Sequence, residues 1–334
     1  MTTTVTITRC AVPTASSLAL DDGRLTAALA PLGLAAAELG AGPGRDRAHF
    51  DHGAEWLLRE GGNVPALWAR SRGAATRLVG LTWTEEYQAI VTMPGGPSDL
   101  RGARLGVVRD RSRMVDHYAA MSLHGHLSAL RSRGLGPDEA TLVELEVPLA
   151  DHAPADPIVA ALPIQWRRDA EALISGAVDA IYVKGAPGRA TVATLGLAEL
   201  VVLSAEDDPL LRANNGTPRT ITAGEDLLEQ PEVLGAMLGA LLDAADAAAL
   251  DPGPLHARVA ADTGADPDAA AGAYGAVRLH PRLDDELVEA LDRQRAFLHA
   301  HGFLAADLDL DAWIDPEPLA EALRARGPAQ PSRR

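Results

Sequence analysis

Short β-branched or apolar runs alternate with stretches of helical pattern through most of this chain, and that alternation constrains the fold more than any other feature. Thr2 to Arg9 alternates as a strand and stops at Cys10, ahead of a helix from Pro13. Arg24 to Leu32 reads as a helix, Leu34 to Leu39 as a second strand and Thr76 to Trp83 as a further buried strand, with Ala89 to Met93 after it. Strands resume at Leu105 to Val108, Thr141 to Val147, Val178 to Val183 and Leu200 to Leu203, with helices at Met114 to Arg133 and Arg167 to Ser175 between them. Strands separated by helices predict an α/β fold with parallel sheets flanked by helices.

A chain of 334 residues has material for about two domains. The break falls at Pro94-Gly95-Gly96-Pro97, where no regular element continues. Residues 1–93 and 214–334 are expected to form one lobe, interrupted by 94–213 as an inserted α/β lobe, with Asn214 to Thr222 carrying the chain back. Pro148 to Gln165 reads as a long Pro/Ala-rich loop, a length typical of functional covers or disordered segments, and is expected to be a lid. From Glu225 the sequence turns Ala/Leu-rich and helical, at Asp226 to Leu250, Pro267 to Ala276, Asp284 to His301 and Pro316 to Arg326, before the tail GPAQPSRR.

The stretch AHFDHGAEWLLREGGNVPAL, Ala48 to Leu67, gathers polar groups. Gly40 to Arg47 reads as a Gly/Pro-broken loop delivering His49. Asp51 to Glu60 reads as a helix that Gly61-Gly62 stops, and Asn63 as the cap of the next helix, with Pro65 in its first turn. Glycines ahead of a helix leave backbone N–H groups open to a phosphate, carboxylate, sulfinate or sulfonate, and the motif does not choose among them. Taken singly, His49 is an ordinary polar residue, Arg59 a solvated helix charge and Gly61-Gly62 a turn. Together they offer a proton-handling ring, a bidentate cation and bare amides, which an anionic substrate requires.

Cys10 is the only cysteine, so no internal disulfide exists and the thiol is either a small buried apolar group or a nucleophile. Its position at a strand's carboxyl end, just before a helix, favours reactivity, because unpaired amides there stabilise a thiolate. Lys184, the sole lysine, follows a strand and is read as a second anion contact against the alternative of a surface charge. His124 and His126 lie two apart on a helix and point away from each other, with no carboxylate to complete a metal set, so they are read as solvated. His299 and His301 near a helix end suit the macrodipole and need no metal either. No Gly-x-Ser-x-Gly, phosphate-binding loop or dinucleotide fingerprint is present.

The formal charge of −16, with no basic run, argues against a nucleic-acid partner or an anionic membrane surface. No apolar run reads as long enough to span a bilayer, and no apolar leader opens the chain, so a cytoplasmic monomer is expected.

The pieces TRCAVP, AHFDHGAEWLLREGGNVPALW, DAEALISGAVDAIYV and LDRQRAFLHAHGFL resemble, in order, the bacterial 2'-hydroxybiphenyl-2-sulfinate desulfinase family. That family is related in fold to the sulfonate- and nitrate-binding proteins of ABC transporters. The resemblance therefore implies a two-lobed, periplasmic-binding-protein-like fold of type II, with a cleft between the lobes and C-terminal helices. A cysteine, a histidine and an arginine followed by a glycine pair form that family's site, and Cys10, His49, Arg59 and Gly62 match with the spacing H-x9-R-x2-G. The implied reaction is hydrolytic carbon–sulfur cleavage of a small anionic organosulfur substrate, with no metal or organic cofactor. Arg59 would grip the sulfinate, with the Gly62 amide as anion-hole donor and Gly61, Asn63 and Lys184 as further substrate contacts. For Cys10 two roles stay open, attack on sulfur or protonation of the released carbon, and His49 would assist either. Three Phe, five Trp and four Tyr do not readily furnish a biphenyl pocket, so a different sulfinate is expected. The alternatives are a non-catalytic binding module for a small sulfonate or carboxylate, or another cysteine enzyme on the same scaffold.

Overall fold

The computed structural model of the chain describes residues 4–10, 12–39, 45–147, 154 and 156–327. In chain order its strands are β1 (Thr4–Ile7), β2 (Ala35–Glu38), β3 (Leu57–Gly62), β4 (Thr76–Glu86), β5 (Gln88–Thr92), β6 (Arg104–Arg109), β7 (Thr141–Glu146), β8 (Ala180–Lys184), β9 (Ala198–Val202), β10 (Arg219–Gly224) and β11 (Tyr274–Arg282). They form two sheets, ordered β11-β4-β10-β3-β1-β2 and β7-β6-β8-β5-β9.

Both sheets are mixed, where the alternation of strands and helices predicts parallel ones. In the first, β2 and β3 run parallel to β1, while β10 is antiparallel to both β3 and β4. The cause is the insertion: the chain leaves along β4 and returns along its neighbour β10, which fixes opposite directions. In the second, β6 is parallel to β7 and β8, and β5 is antiparallel to β8 and β9.

Two compact units result, Met1–Thr84 with Pro218–Leu255 and Val277–Arg334, and Glu85–Thr217 with His256–Ala276. The inserted unit therefore begins nearer residue 85 than the expected 94, because β5 takes its partners from β8 and β9. It also recovers residues 256–276 from the C-terminal region, whose helix Pro267–Ala273 packs on the helix Gly185–Leu195. Part of the expected loop from 148 to 165 is helical, at Pro157–Ala161 and from Ile164 onward; residues 148–153 and 155, and with them much of the expected lid, lie outside the described residues.

The first unit's core gathers Val5 and Ile7 of β1, Leu58, Val79 and Ile221 around the helix Pro231–Leu250, whose Leu234, Met237, Leu238 and Leu241 are buried. Each such side chain contributes about 1.5–3 kcal/mol of burial. This helix corrects the sequence reading in one respect: at 20 residues it is long and apolar enough to cross a bilayer, by length and composition alone. More than half of its most apolar window is buried within the structure.

In the second unit the segment SLHGH is internal, which corrects the solvated reading of its histidines. A Cβ at Gly125 would stand 2.2 Å from the Tyr182 ring, so only glycine lets the helix His117–Ser132 approach β8 this closely. His126 is fully buried and its Nε2 donates to the Gly106 carbonyl of β6 at 2.8 Å, while His124 is half-buried. Burial, only partly opposed by that bond, pushes the His126 imidazole down to about 4. The unfolded chain protonates this residue near pH 6.5 and the folded chain only near 4, so the associated stability is present above 6.5 and lost as pH falls toward 4. The loss is on the order of 3 kcal/mol. In urea titrations, His126→Gln should show a flatter decline in unfolding free energy between pH 6.5 and 4 than the parent; parallel declines would assign acid sensitivity elsewhere.

Candidate functional site

The tract Asp51 to Glu60 is not a helix. Its second half is β3, placed between β1 and β10 and buried from Leu57 through Gly61, so no alternation marks it in the sequence. A charged pair, Arg59 and Glu60, sits inside this strand with no solvent exposure at either side chain. Successive residues face opposite sides of a sheet, so the two charges serve different faces.

The Arg59 guanidinium lies back over Gly61, where a Cβ would meet Nη2 at 3.1 Å and Cζ at 3.3 Å. Gly61 is thus the floor on which the cation rests. Nε donates to the His49 carbonyl at 3.1 Å and Nη1 to the Gly62 carbonyl at 3.2 Å. Among the described residues Nη2 is buried with no hydrogen-bond partner. Burial lowers the guanidinium to about 10, against the opposing pull of Cys10 and with a further lowering from Arg219. A fully buried, incompletely bonded cation is costly, and an anion restores both its charge balance and its missing bond.

On the other face, Glu60 accepts from the Ser16 amide at 2.8 Å and from the Thr82 hydroxyl at 3.2 Å, and its backbone is pinned to the Thr8 hydroxyl. Thr14 caps the same helix, Ala15–Asp21, by accepting from Ser17. These amides follow Cys10 closely in the chain and were expected to favour its thiolate, but Glu60 and Thr14 already use them. The Arg59 guanidinium lies within electrostatic reach of Cys10. Burial raises the Glu60 carboxyl above the ordinary range, with the Ser16 and Ala15 amides and Arg219 pulling the other way.

Cys10 is half-buried and forms no disulfide. His49 is carried not by a loop but by the helix Arg45–Asp51, edge-on to Phe50 with ring centroids 5.1 Å apart; residues 40–44 of the expected loop lie outside the described residues. Asn63 does not cap the next helix. Gly62 occupies the cap position, and Asn63, fully buried, donates from Nδ2 to the Pro218 carbonyl at 2.8 Å. Two neighbours escaped the sequence reading. Arg219 of β10 stands opposite Gly62 in register, is 2% exposed, and acts electrostatically on both Arg59 and Glu60. His52 is buried within the electrostatic reach of Arg59 and His49. The clue to Arg59 and Glu60 was the charge pair in LLREGG, which on a strand between buried neighbours has to be satisfied from within.

Lys184 does not offer a free charge. It ends β8 in the second unit, 6% exposed, paired with Glu86 at 3.2 Å and donating to the Asn215 carbonyl. The cation that joins Arg59 is Arg219. Among the described residues no group of three or more His, Cys, Asp or Glu is placed to hold a metal.

No protein-family model matches the chain. The 2'-hydroxybiphenyl-2-sulfinate desulfinase of Rhodococcus erythropolis is 26% identical over 355 aligned positions, covering 96% of this chain and 93% of that protein. The crystal structure of a cysteine-to-serine mutant of the desulfinase DszB, in complex with biphenyl-2-sulfinic acid, superposes with a TM-score of 0.76 at 26% identity, covering 97% of this chain and all of that one. The chain is similar over nearly its whole length to a sulfinate desulfinase. The periplasmic aliphatic sulfonate-binding protein SsuA of Escherichia coli shares the fold, with a TM-score of 0.64 at 15% identity over 94% of this chain and 92% of its own. The architecture is therefore the periplasmic-binding-protein type, on a chain whose whole length also follows the desulfinases.

Proposed function

We propose that this protein is a cysteine-dependent desulfinase acting on a small organic sulfinate. The observation that carries the reading is Arg59: a fully buried guanidinium whose Nη2 has no hydrogen-bond partner among the described residues, within electrostatic reach of the only thiol of the chain, on a scaffold similar to a sulfinate desulfinase. The overall reaction is R–SO2⁻ + H2O → R–H + HSO3⁻, in which the carbon–sulfur bond breaks, carbon gains a proton and sulfur gains the hydroxide of water.

Arg59 would bind the sulfinate oxygens through Nη2 while Nε and Nη1 stay fixed on backbone carbonyls, so that the cation is oriented before the substrate arrives. In the route where the Cys10 thiolate adds to sulfur, its charge builds on the sulfinate oxygens and strengthens this contact, which lowers that barrier, and the electron pair of the C–S bond then passes to carbon, which takes a proton. Cys10 supplies the reactive thiol, and His49, whose carbonyl anchors Arg59, handles its proton. Arg219 adds positive potential from β10. The few aromatic side chains favour a substrate smaller than a biphenyl.

Incubation with benzenesulfinate and a series of alkyl sulfinates should release sulfite, and iodoacetamide should label Cys10 in a manner that benzenesulfinate suppresses. Tight sulfinate binding without sulfite release would make the chain a solute-binding module instead. Gly61→Ala provides a local check, since the added methyl displaces a clamped guanidinium. Weakening one charge-assisted bond by about 1.4 kcal/mol should raise the benzenesulfinate Kd about tenfold. An unchanged Kd would remove the Arg59–Gly61 contact from binding.

A further inference from the structure

His52 ends the helix Arg45–Asp51 in the left-handed backbone region, at φ +58°, with its amide on the Ala48 carbonyl at 3.0 Å. Glycine is the usual residue there, because a Cβ is strained in that conformation. The imidazole is only 7% exposed, and among the described residues neither ring nitrogen has a hydrogen-bond partner. A histidine at this position thus carries two penalties, backbone strain and the desolvation of a donor and an acceptor that the described residues leave unmet. Buried polar atoms are almost always bonded, so both nitrogens call for a partner that the described residues do not supply.

The surroundings indicate what that partner is. Burial, together with the charge of Arg59 and the neighbouring His49, holds the imidazole well below its ordinary value, so it stands neutral with one N–H donor and one lone pair. Its immediate electrostatic neighbour, Arg59, has an unmet donor of its own at Nη2. Two buried side chains of the same site therefore carry polar atoms with no partner among the described residues. A bound oxyanion satisfies both donors with one ligand.

We propose that His52 is a substrate-binding residue, giving its ring N–H to the same oxyanion that Arg59 holds through Nη2. The identity of the anion as a sulfinate rests on the function proposed above; the His52 contact itself does not require cleavage. Such a site has a cation fixed by two carbonyls and a neutral donor beside it, which selects a compact, singly charged group with at least two acceptor oxygens.

The test is calorimetric titration of the parent, His52→Phe and His52→Asn with benzenesulfinate and with the uncleavable benzenesulfonate, alongside thermal melts and sulfite release. His52→Phe keeps ring volume and loses the donor, and should bind both anions roughly 10–100-fold more weakly with a Tm equal to or above the parent's, since unmet polar atoms leave the interior. His52→Asn tolerates the left-handed backbone and keeps an N–H donor, and should bind within a few-fold of the parent. A packing role predicts the reverse, full affinity for Phe and a lowered Tm for Asn. Parent-like binding by His52→Phe, or a parent that binds neither anion, overturns the proposal. If His52→Phe does not fold, His52→Ala takes its place as the variant without a donor, and equal binding by Ala and Asn overturns it. Binding that depends on His52 without any sulfite release would retain this contact while rejecting the desulfinase reading. Sulfite release with unaltered affinity in the Phe variant would reject this contact alone.

Discussion

Cys10→Ser is expected to reduce sulfite release from a turned-over sulfinate by at least about a thousandfold, while the variant still folds and still binds the anion. The substitution is close to isosteric at a half-buried position, so Tm should move little. What changes is the chemistry, because a hydroxyl does not reach the anionic form near neutral pH and is a far poorer nucleophile there than a thiol. Binding should persist, since Arg59 keeps both of its carbonyl anchors. As the chain has one cysteine, iodoacetamide incorporation reports on this residue without further mutation. Undiminished sulfite release by the serine variant would remove the thiol from the mechanism.

Arg59→Met should lower kcat/KM about 100–1000-fold, the effect of losing one preorganised donor to a developing oxyanion, roughly 3–4 kcal/mol. Methionine keeps much of the buried stem, and exchanging an incompletely bonded buried cation for an apolar group is often neutral for stability. Tm should therefore stay within a few degrees while activity falls, which separates a binding role from a structural one. Arg59→Lys should fail as well: an ammonium cannot hold the His49 and Gly62 carbonyls in the same plane while presenting a third donor. A lysine variant that retains full turnover, or a methionine variant that retains affinity for benzenesulfinate, would contradict the role given to Arg59.

The reading of the fold from residues succeeded where one face of an element is wet. The helix Asp285–Ala300 and the edge strand β7 show their periods because water lies on one side. It failed in the middle of the first sheet. β3 is buried on both faces, so LLREGG carries no period-two signal, and its charged pair reads as helix until the sheet is assembled. The mixed strand directions were equally hidden, since they follow from β4 and β10 being neighbours although more than 130 positions separate them in the chain. SLHGH offered two exposed histidines on a helix; the ring of Tyr182 packed against Gly125 is what turns that face inward.

By itself the sequence determined the α/β class and the interruption of one unit by another, because alternation and chain breaks are properties of neighbouring residues, while Cys10, His49, Arg59 and Gly62 were singled out by resemblance and stand as the proposed site. Tertiary structure decided which charges are spent and which remain available. Glu60 occupies the amides after Cys10, Glu86 neutralises Lys184, and Arg219 arrives beside Gly62 from a strand more than 150 residues downstream. Charge compensation acts through space at a few ångströms, so only the folded chain settles that Arg59 keeps a donor unmet among the described residues and that His52 stands buried within its electrostatic reach.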